Sequence, residues 1–292
     1  MLDDTKPSRR LDQFQPVHAL PVPKRQPRHT LRWSLLALIL IYFLAPLRTN
    51  ILLLGTDDSP ERGALGRTDT IILTTIVPIR PYIGMLSIPR DLWVNVPDVG
   101  EQRINTAYFF AEANERGSGP RASMQTIRQN FGIPVSYYVV IHMLGLVSAI
   151  DALGGVDIRL NSALGGFAAG VYHFDGEQAL SFVRERSSSD DFSRMQRTQL
   201  LIVAAGTKAF QPANWSGLPN FVYAILQIVD TNIPLWQLPR LIFVLLRVPF
   251  FGVDSRTIAR EMVVPFQTSG GAQVLAPNWD AINPVLKEMF GR

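Results

Sequence analysis

Four arginines, Arg184, Arg186, Arg194 and Arg197, fall within LSFVRERSSSDDFSRMQRTQ, residues 180–199, in a chain where 18% of residues are charged. Guanidinium groups set this close repel one another unless an anion or several carboxylates lie between them. Asp190 and Asp191, the aspartates of the stretch, are too few to neutralise all of them. A pyrophosphate answers the need, because arginine grips phosphate oxygens with two parallel N–H donors. Arg184 and Arg186, two apart, share one face of an extended segment. Asp190, Asp191 and Ser193 have the composition of a helix start, which puts Arg194 and Arg197 on one face of its first turns. Backbone N–H groups and the helix dipole favour anions at the same place. A solvated, charged helix start accounts for the composition equally well, and spacing alone leaves both readings open.

Two further stretches carry chemistry of the same kind. In GTDDSPERGALGRTDT, residues 55–70, Asp57 follows one apolar run and Asp69 opens the next, so a sheet can bring the two carboxylates together. Such a pair suits Mg²⁺, which keeps much of its water and takes few protein oxygens; an ordinary turn with a capping aspartate uses the same residues. In SIPRDLW, residues 87–93, Arg90 and Asp91 emerge behind Pro89 at a strand end, as a surface ion pair or as part of a site. Asn105, in RINTAY, is placed to cap the following helix or to face the same cleft.

The elements that must position these residues alternate. Residues 50–55, 69–77, 82–88, 137–142 and 154–160 read as strands, and 104–115, 122–130 and 143–153 as helices, with helix again from Gly176 to about Phe210. Strands alternating with helices predict an α/β fold, a largely central sheet sandwiched by helices (α-β-α), with ligands collected beyond strand ends. From Pro212 onward the chain is proline-rich, apolar and short of clear strands, an extension (211–292) packing on the 50–210 core. Within it, LPRLIFVLLRVPFFGV, residues 238–253, has Arg240 and Arg247 on one helical face and an apolar remainder that suits lipid contact or a buried helix.

Residues 1–32 form a basic, proline-rich tail with no hydrophobic periodicity, expected to be disordered. WSLLALILIYFLAPL, residues 33–47, is uncharged and apolar, and with the basic residues before it predicts a signal anchor (33–48) with the tail in the cytoplasm and the rest outside. At 292 residues and 47% hydrophobic content the chain has ample material for a core. The absence of cysteine excludes thiol catalysis, disulfides and thiolate metal sites. The net charge of +4 points weakly to an anionic partner. With no interleaved aromatic platform and no reading helix, that partner is not nucleic acid.

Taken together, NILLLGTD, GRTDTIIL, LSIPRDLWV, RINTAY, HFDGEQALSFVRER and DFSRMQRTQ resemble the LytR–CpsA–Psr family, in its order, over residues 50–210. The resemblance implies a single-pass protein of the cytoplasmic membrane whose extracytoplasmic domain transfers a glycopolymer from a polyprenyl-pyrophosphate carrier to peptidoglycan. It also implies that Asp57 and Asp69 associate with Mg²⁺ and that Arg90 contacts phosphate. By the same correspondence Arg184, Arg186, Arg194 and Arg197 surround the pyrophosphate, and Asp91 and Asp191 are nearby acidic positions. Thr198 stands where the family often has glutamine, which shortens the reach of one polar contact to the lipid phosphate. A non-catalytic binder of polyprenyl phosphates or anionic glycopolymers, and a hydrolase acting on the carrier, would use the same residues.

Overall fold

A computed structural model describes residues 28–45, 47–56, 66, 68–78, 82–185, 190–247 and 252–291. The chain divides into two units, Met1–Ile41 and Tyr42–Arg292. Helix α1 (Arg28–Leu44) takes in most of the apolar segment. Its 17 residues rise about 26 Å, short of the ~30 Å hydrocarbon core of a bilayer. No helix among the described residues is long and apolar enough to cross a membrane.

After α1 come β1 (Thr49–Thr56), β2 (Thr68–Val77), β3 (Tyr82–Ser87), β4 (Trp93–Val96) and β5 (Gly100–Arg103). Helices α2 (Thr106–Asn114) and α3 (Gly119–Phe131) lead to β6 (Tyr137–His142), α4 (Leu146–Ala152), and the hairpin β7 (Val156–Leu160) and β8 (Gly170–Phe174). Then follow α5 (Gly176–Arg184), α6 (Asp191–Ala209), α7 (Leu218–Ile228), β9 (Val229–Thr231), α8 (Leu238–Leu245) and β10 (Asp254–Thr257). The hairpin β11 (Val263–Gln267) and β12 (Gln273–Pro277) precedes the last helix, α9 (Trp279–Phe290).

The central sheet is mixed, in the order β10-β3-β2-β1-β6-β9. β1, β2 and β3 form an antiparallel meander, while β6 runs parallel to β1 and β10 parallel to β3. Alternation explains why β1 and β2 read as unbroken apolar runs: both faces are covered. Leu52, Leu54, Ile71 and Leu73 pack on one side against α2, α3 and α9, through Tyr108, Ile127, Phe131 and Leu286. Ile51, Ile72 and Ile76 pack on the other against Leu241 and Val244 of α8, with Ile202 and Val203 of α6 alongside. A third apolar cluster joins α4, α5 and α6 to the β7–β8 hairpin.

The α/β architecture expected from the sequence is present, with one correction. The region beyond Pro212, read as short of strands, supplies four among its described residues, and two of them, β9 and β10, are the edges of the central sheet. β10 is held to β3 by parallel pairing and to α9 by the Arg256–Glu288 pair at 2.7 Å.

Candidate functional site

β2 opens with Thr68–Asp69 beside the end of β1, where Thr56 pairs with Thr68 and Gly55 with Thr70. The turn after β3 delivers Arg90, whose carbonyl accepts from the Asn105 amide. Arg90 Nη1 donates to Asp69 Oδ1 at 2.5 Å, and its Nε lies 3.2 Å from Asp191 and 3.6 Å from Asp91. Burial opposes the charge on Arg90, but Asp191, Asp69 and Asp91 outweigh it and hold the guanidinium above its ordinary pKa. Asp91 also faces Arg103 Nε at 3.2 Å, and Asp191 pairs with Arg194 at 3.0 Å. A chain of alternating charge therefore runs from Arg103 through Asp91, Arg90 and Asp191 to Arg194. The Nε atoms of Arg90 and Arg103 are within ion-pair distance of carboxylates yet make no aligned hydrogen bond.

The helix start expected at Asp190 is present. Asp190 caps α6 by accepting from the Ser193 amide at 2.9 Å and also receives Arg260. Burial pushes the Asp190 carboxyl up, but Ser193 and Arg260 outweigh it and leave the carboxyl below its ordinary value. The other arginines are placed differently from one another. Arg184 is the exposed last residue of α5, so it belongs to a helix and not to an extended segment. Arg194 is buried at the mouth described below.

Arg197 is fully enclosed, 0% exposed. It donates to the Glu185 carbonyl at 2.7 Å and the Gly165 carbonyl at 3.4 Å, and stands over the Phe182 ring. Burial lowers its pKa, Glu185 opposes this and Arg194 adds to it. Spacing puts Arg194 and Arg197 on one helical face, but the structure sends their side chains to different partners. Asn105 is buried at the start of α2 and makes no side-chain capping bond, contrary to the capping role expected of it. Asp57 and Arg186 lie outside the described residues.

Beside this charged chain is a cavity of about 230 Å³ enclosed by apolar side chains from the sheet and from α4, α6 and α7. Its walls include Leu53, Ile141, Ile150, Leu201, Phe221 and Ile228. Gly55, Thr70, Met143, Val183 and Thr198 also line a second, polar pocket, which adds Asp69, Arg184 and Arg194. The two adjoin through these five shared residues, with the charged side chains at one end, the mouth. Thr198 sits at the junction, its hydroxyl donating to the Arg194 carbonyl at 3.0 Å, whereas Gln199 turns away to the Arg256 carbonyl at 2.7 Å. Sequence reasoning missed Arg103, for which the signal was its place in the RINTAY stretch beside Asp91's loop.

Fold and site together define an α/β protein that can take an amphipathic anion, tail inward and charge at the arginines. The chain belongs to the LytR_cpsA_psr family, which it matches over residues 45–289. It is 39% identical over 193 residues to the polyisoprenyl-teichoic acid–peptidoglycan teichoic acid transferase TagU of Oceanobacillus iheyensis, covering 63% of this chain and 57% of that protein. With TagU of Bacillus mycoides it shares 32% over 191 residues, 63% of this chain and 60% of that one. The chain thus spans less than two thirds of the length of these relatives. Among solved structures, TagV of B. subtilis superposes with a TM-score of 0.67 at 23% identity, over 84% of this chain and 98% of that chain. TagT bound to LIIa-WTA gives 0.65 at 23% identity, over 84% and 91%. At that identity the likeness is one of fold.

Proposed function

We propose that this protein transfers a glycopolymer from a polyprenyl-pyrophosphate carrier to peptidoglycan. The observation that carries the reading is the apolar cavity opening on Asp69, Arg184, Arg194 and Thr198. A long hydrocarbon joined to a phosphate has this distribution of polarity, and the transferase activity for which the TagU relatives are named agrees with it. Arg184 and Arg194 bind the phosphates, with Arg186 as a further contact, and Arg90 holds the carboxylates in register. Arg197 supports the site from behind by tying the end of α5 to the turn at Gly165.

A sugar hydroxyl of peptidoglycan attacks the phosphorus that carries the glycopolymer. The bond from that phosphorus to the bridging oxygen breaks, polyprenyl phosphate leaves, and the hydroxyl proton passes to a base or to water. Such a reaction asks the protein for positioning and charge stabilisation above all. Asp91, shared between Arg90 and Arg103, orients the hydroxyl; unchanged turnover in Asp91→Asn would remove it from that role.

Asp69, Asp91 and Asp191 gathered around one arginine are the hard oxygen donors that Mg²⁺ takes. Among the described residues no group of three or more acidic or histidine side chains is placed to hold a metal. We assign the ion to Asp69 together with Asp57, where it would neutralise pyrophosphate charge. Transfer is expected to stop on chelation by EDTA and to return with added Mg²⁺; activity indifferent to EDTA would refute the assignment.

The membrane association proposed here rests on the basic tail, on the apolar α1, and on exposed Tyr223, Leu226, Leu235 and Trp236 around α7 and α8. Tyrosine and tryptophan beside leucine suit a bilayer interface. Protease added to intact cells is expected to degrade the domain and spare the tail.

The test of the whole reading is lipid extraction and mass spectrometry on detergent-purified protein. Wild type is expected to retain a polyprenyl phosphate or pyrophosphate, and Arg184→Ala/Arg194→Ala to lose it. Equal lipid in both proteins would show that these arginines do not hold the carrier.

A further inference from the structure

A second apolar cavity, about 180 Å³, adjoins the first on the same side of the sheet. Leu53, Ile202 and Gly206 line both. Strand register orders the two along the sheet. The first is lined at Gly55, Thr70 and Ile141, which pair with one another next to the charged mouth. The second is lined at Ile51, Thr74, Ile76 and Ile83, toward the opposite ends of those strands. From Gly55 back to Ile51 the path advances roughly 13 Å at the ~3.3 Å rise of a strand. The two cavities thus lie in line beneath α6, the second farther from the arginines.

Gly206, in the last turn of α6, lines both cavities. A Cβ built there would meet nothing within 4 Å. Close packing would ordinarily fill such a space. Packing alone would favour a side chain here, and its absence leaves space where the two cavities adjoin.

We propose that Gly206 sets the length of tail the protein accepts, by keeping the second cavity open to a prenyl chain whose phosphate is held at the mouth. This rests on the lipid-phosphate reading above and adds to it a selection for long prenyl chains.

The experiment measures binding of geranyl phosphate and undecaprenyl phosphate to the full-length protein in detergent, for wild type, Gly206→Ala and Gly206→Leu. Comparing variants in one detergent cancels partition of the probes into micelles. The long-to-short affinity ratio of wild type is expected to exceed that of Gly206→Leu by about tenfold or more, since only wild type keeps the second cavity open to the tail. Gly206→Leu, whose isobutyl group fills the space where the cavities adjoin, is expected to bind geranyl phosphate within about twofold of wild type. Gly206→Ala, too short to close that space, is expected to behave as wild type. A long-to-short ratio in Gly206→Leu equal to that of wild type overturns the role of Gly206 and leaves lipid binding intact. So does loss of both probes by a Gly206→Leu protein that keeps the wild-type circular dichroism spectrum. If wild type binds neither probe, the lipid reading itself falls.

Discussion

Arg90→Ala is expected to lower transfer by about 10²–10³-fold, the range seen when one charge-stabilising donor is removed from an active site. Arg90 lies against Asp69, Asp191 and Asp91, so its loss leaves three carboxylates with less compensation around the place where phosphate must bind. Asp91 would keep Arg103 and Asp191 would keep Arg194, but Asp69 would lose its 2.5 Å partner at the mouth. An incoming pyrophosphate would then meet less fully compensated negative charge.

Stability should fall as well. Breaking a fully buried pair costs roughly 3–5 kcal/mol. Arg90 and Asp69 are 23% and 22% exposed, so water screens part of that, and about 2 kcal/mol is expected. Arg90→Lys keeps the charge but not the planar fork, and is expected to recover most of the stability and little of the activity. Urea unfolding and transfer assays on both variants separate the two effects. Near wild-type turnover in Arg90→Ala would sink the role of Arg90 in holding the carboxylates around the phosphate site.

What the sequence disclosed about this arrangement follows from what period and composition encode. β1, β2, β3 and β6 were legible because both faces of each are covered, so their residues form dense apolar runs bounded by turn residues. β10 was not, because Asp254-Ser-Arg-Thr257 reads as a polar turn; its place depends on pairing with β3 and on an ion pair to a helix over thirty residues away. β9 has three residues and no pattern to detect.

In the site, residue types were legible and destinations were not. Spacing gives Arg194 and Arg197 a common face, but only the fold brings the Gly165 and Glu185 carbonyls to Arg197 and Asp191 to Arg194. Apolar material for a channel between residues 144–153 and the sheet was legible, but not whether it left a space. Ile150, Leu201 and Phe221 would look the same in a sequence whether they enclosed a space or filled it.

Gly176→Ala is expected to destabilise the protein by about 3 kcal/mol, the top of the usual overpacking range, and to lower Tm by roughly 6–12 °C for a domain of this size. Gly176 opens α5 in the DGEQ part of the motif, where Asp175 caps the helix and Gln178 returns a bond to complete a capping box. That box fixes where the helix begins, so Gly176 has no freedom to move along the chain. Its amide donates to Asp151 at 2.7 Å, and its Cα sits against the backbone of α4. A Cβ built there would lie 2.3 Å from the Val147 carbonyl oxygen and 2.7 Å from the Val147 Cα. These are backbone atoms of a helix, which cannot rotate aside as a side chain would. Either α5 or α4 must shift, and both wall the space that leads to the mouth, through Val183 on one and Ala149 on the other. Arg184, next to Val183, would move with α5, so prenyl phosphate binding should weaken along with stability. Gly176→Ser is expected to be at least as damaging, because the clash is with its Cβ. Thermal unfolding of the two variants beside wild type decides the matter: a Tm within about 2 °C of wild type for Gly176→Ala would mean that α4 and α5 yield at this contact, and that the glycine is not what brings α5 close enough to present Arg184.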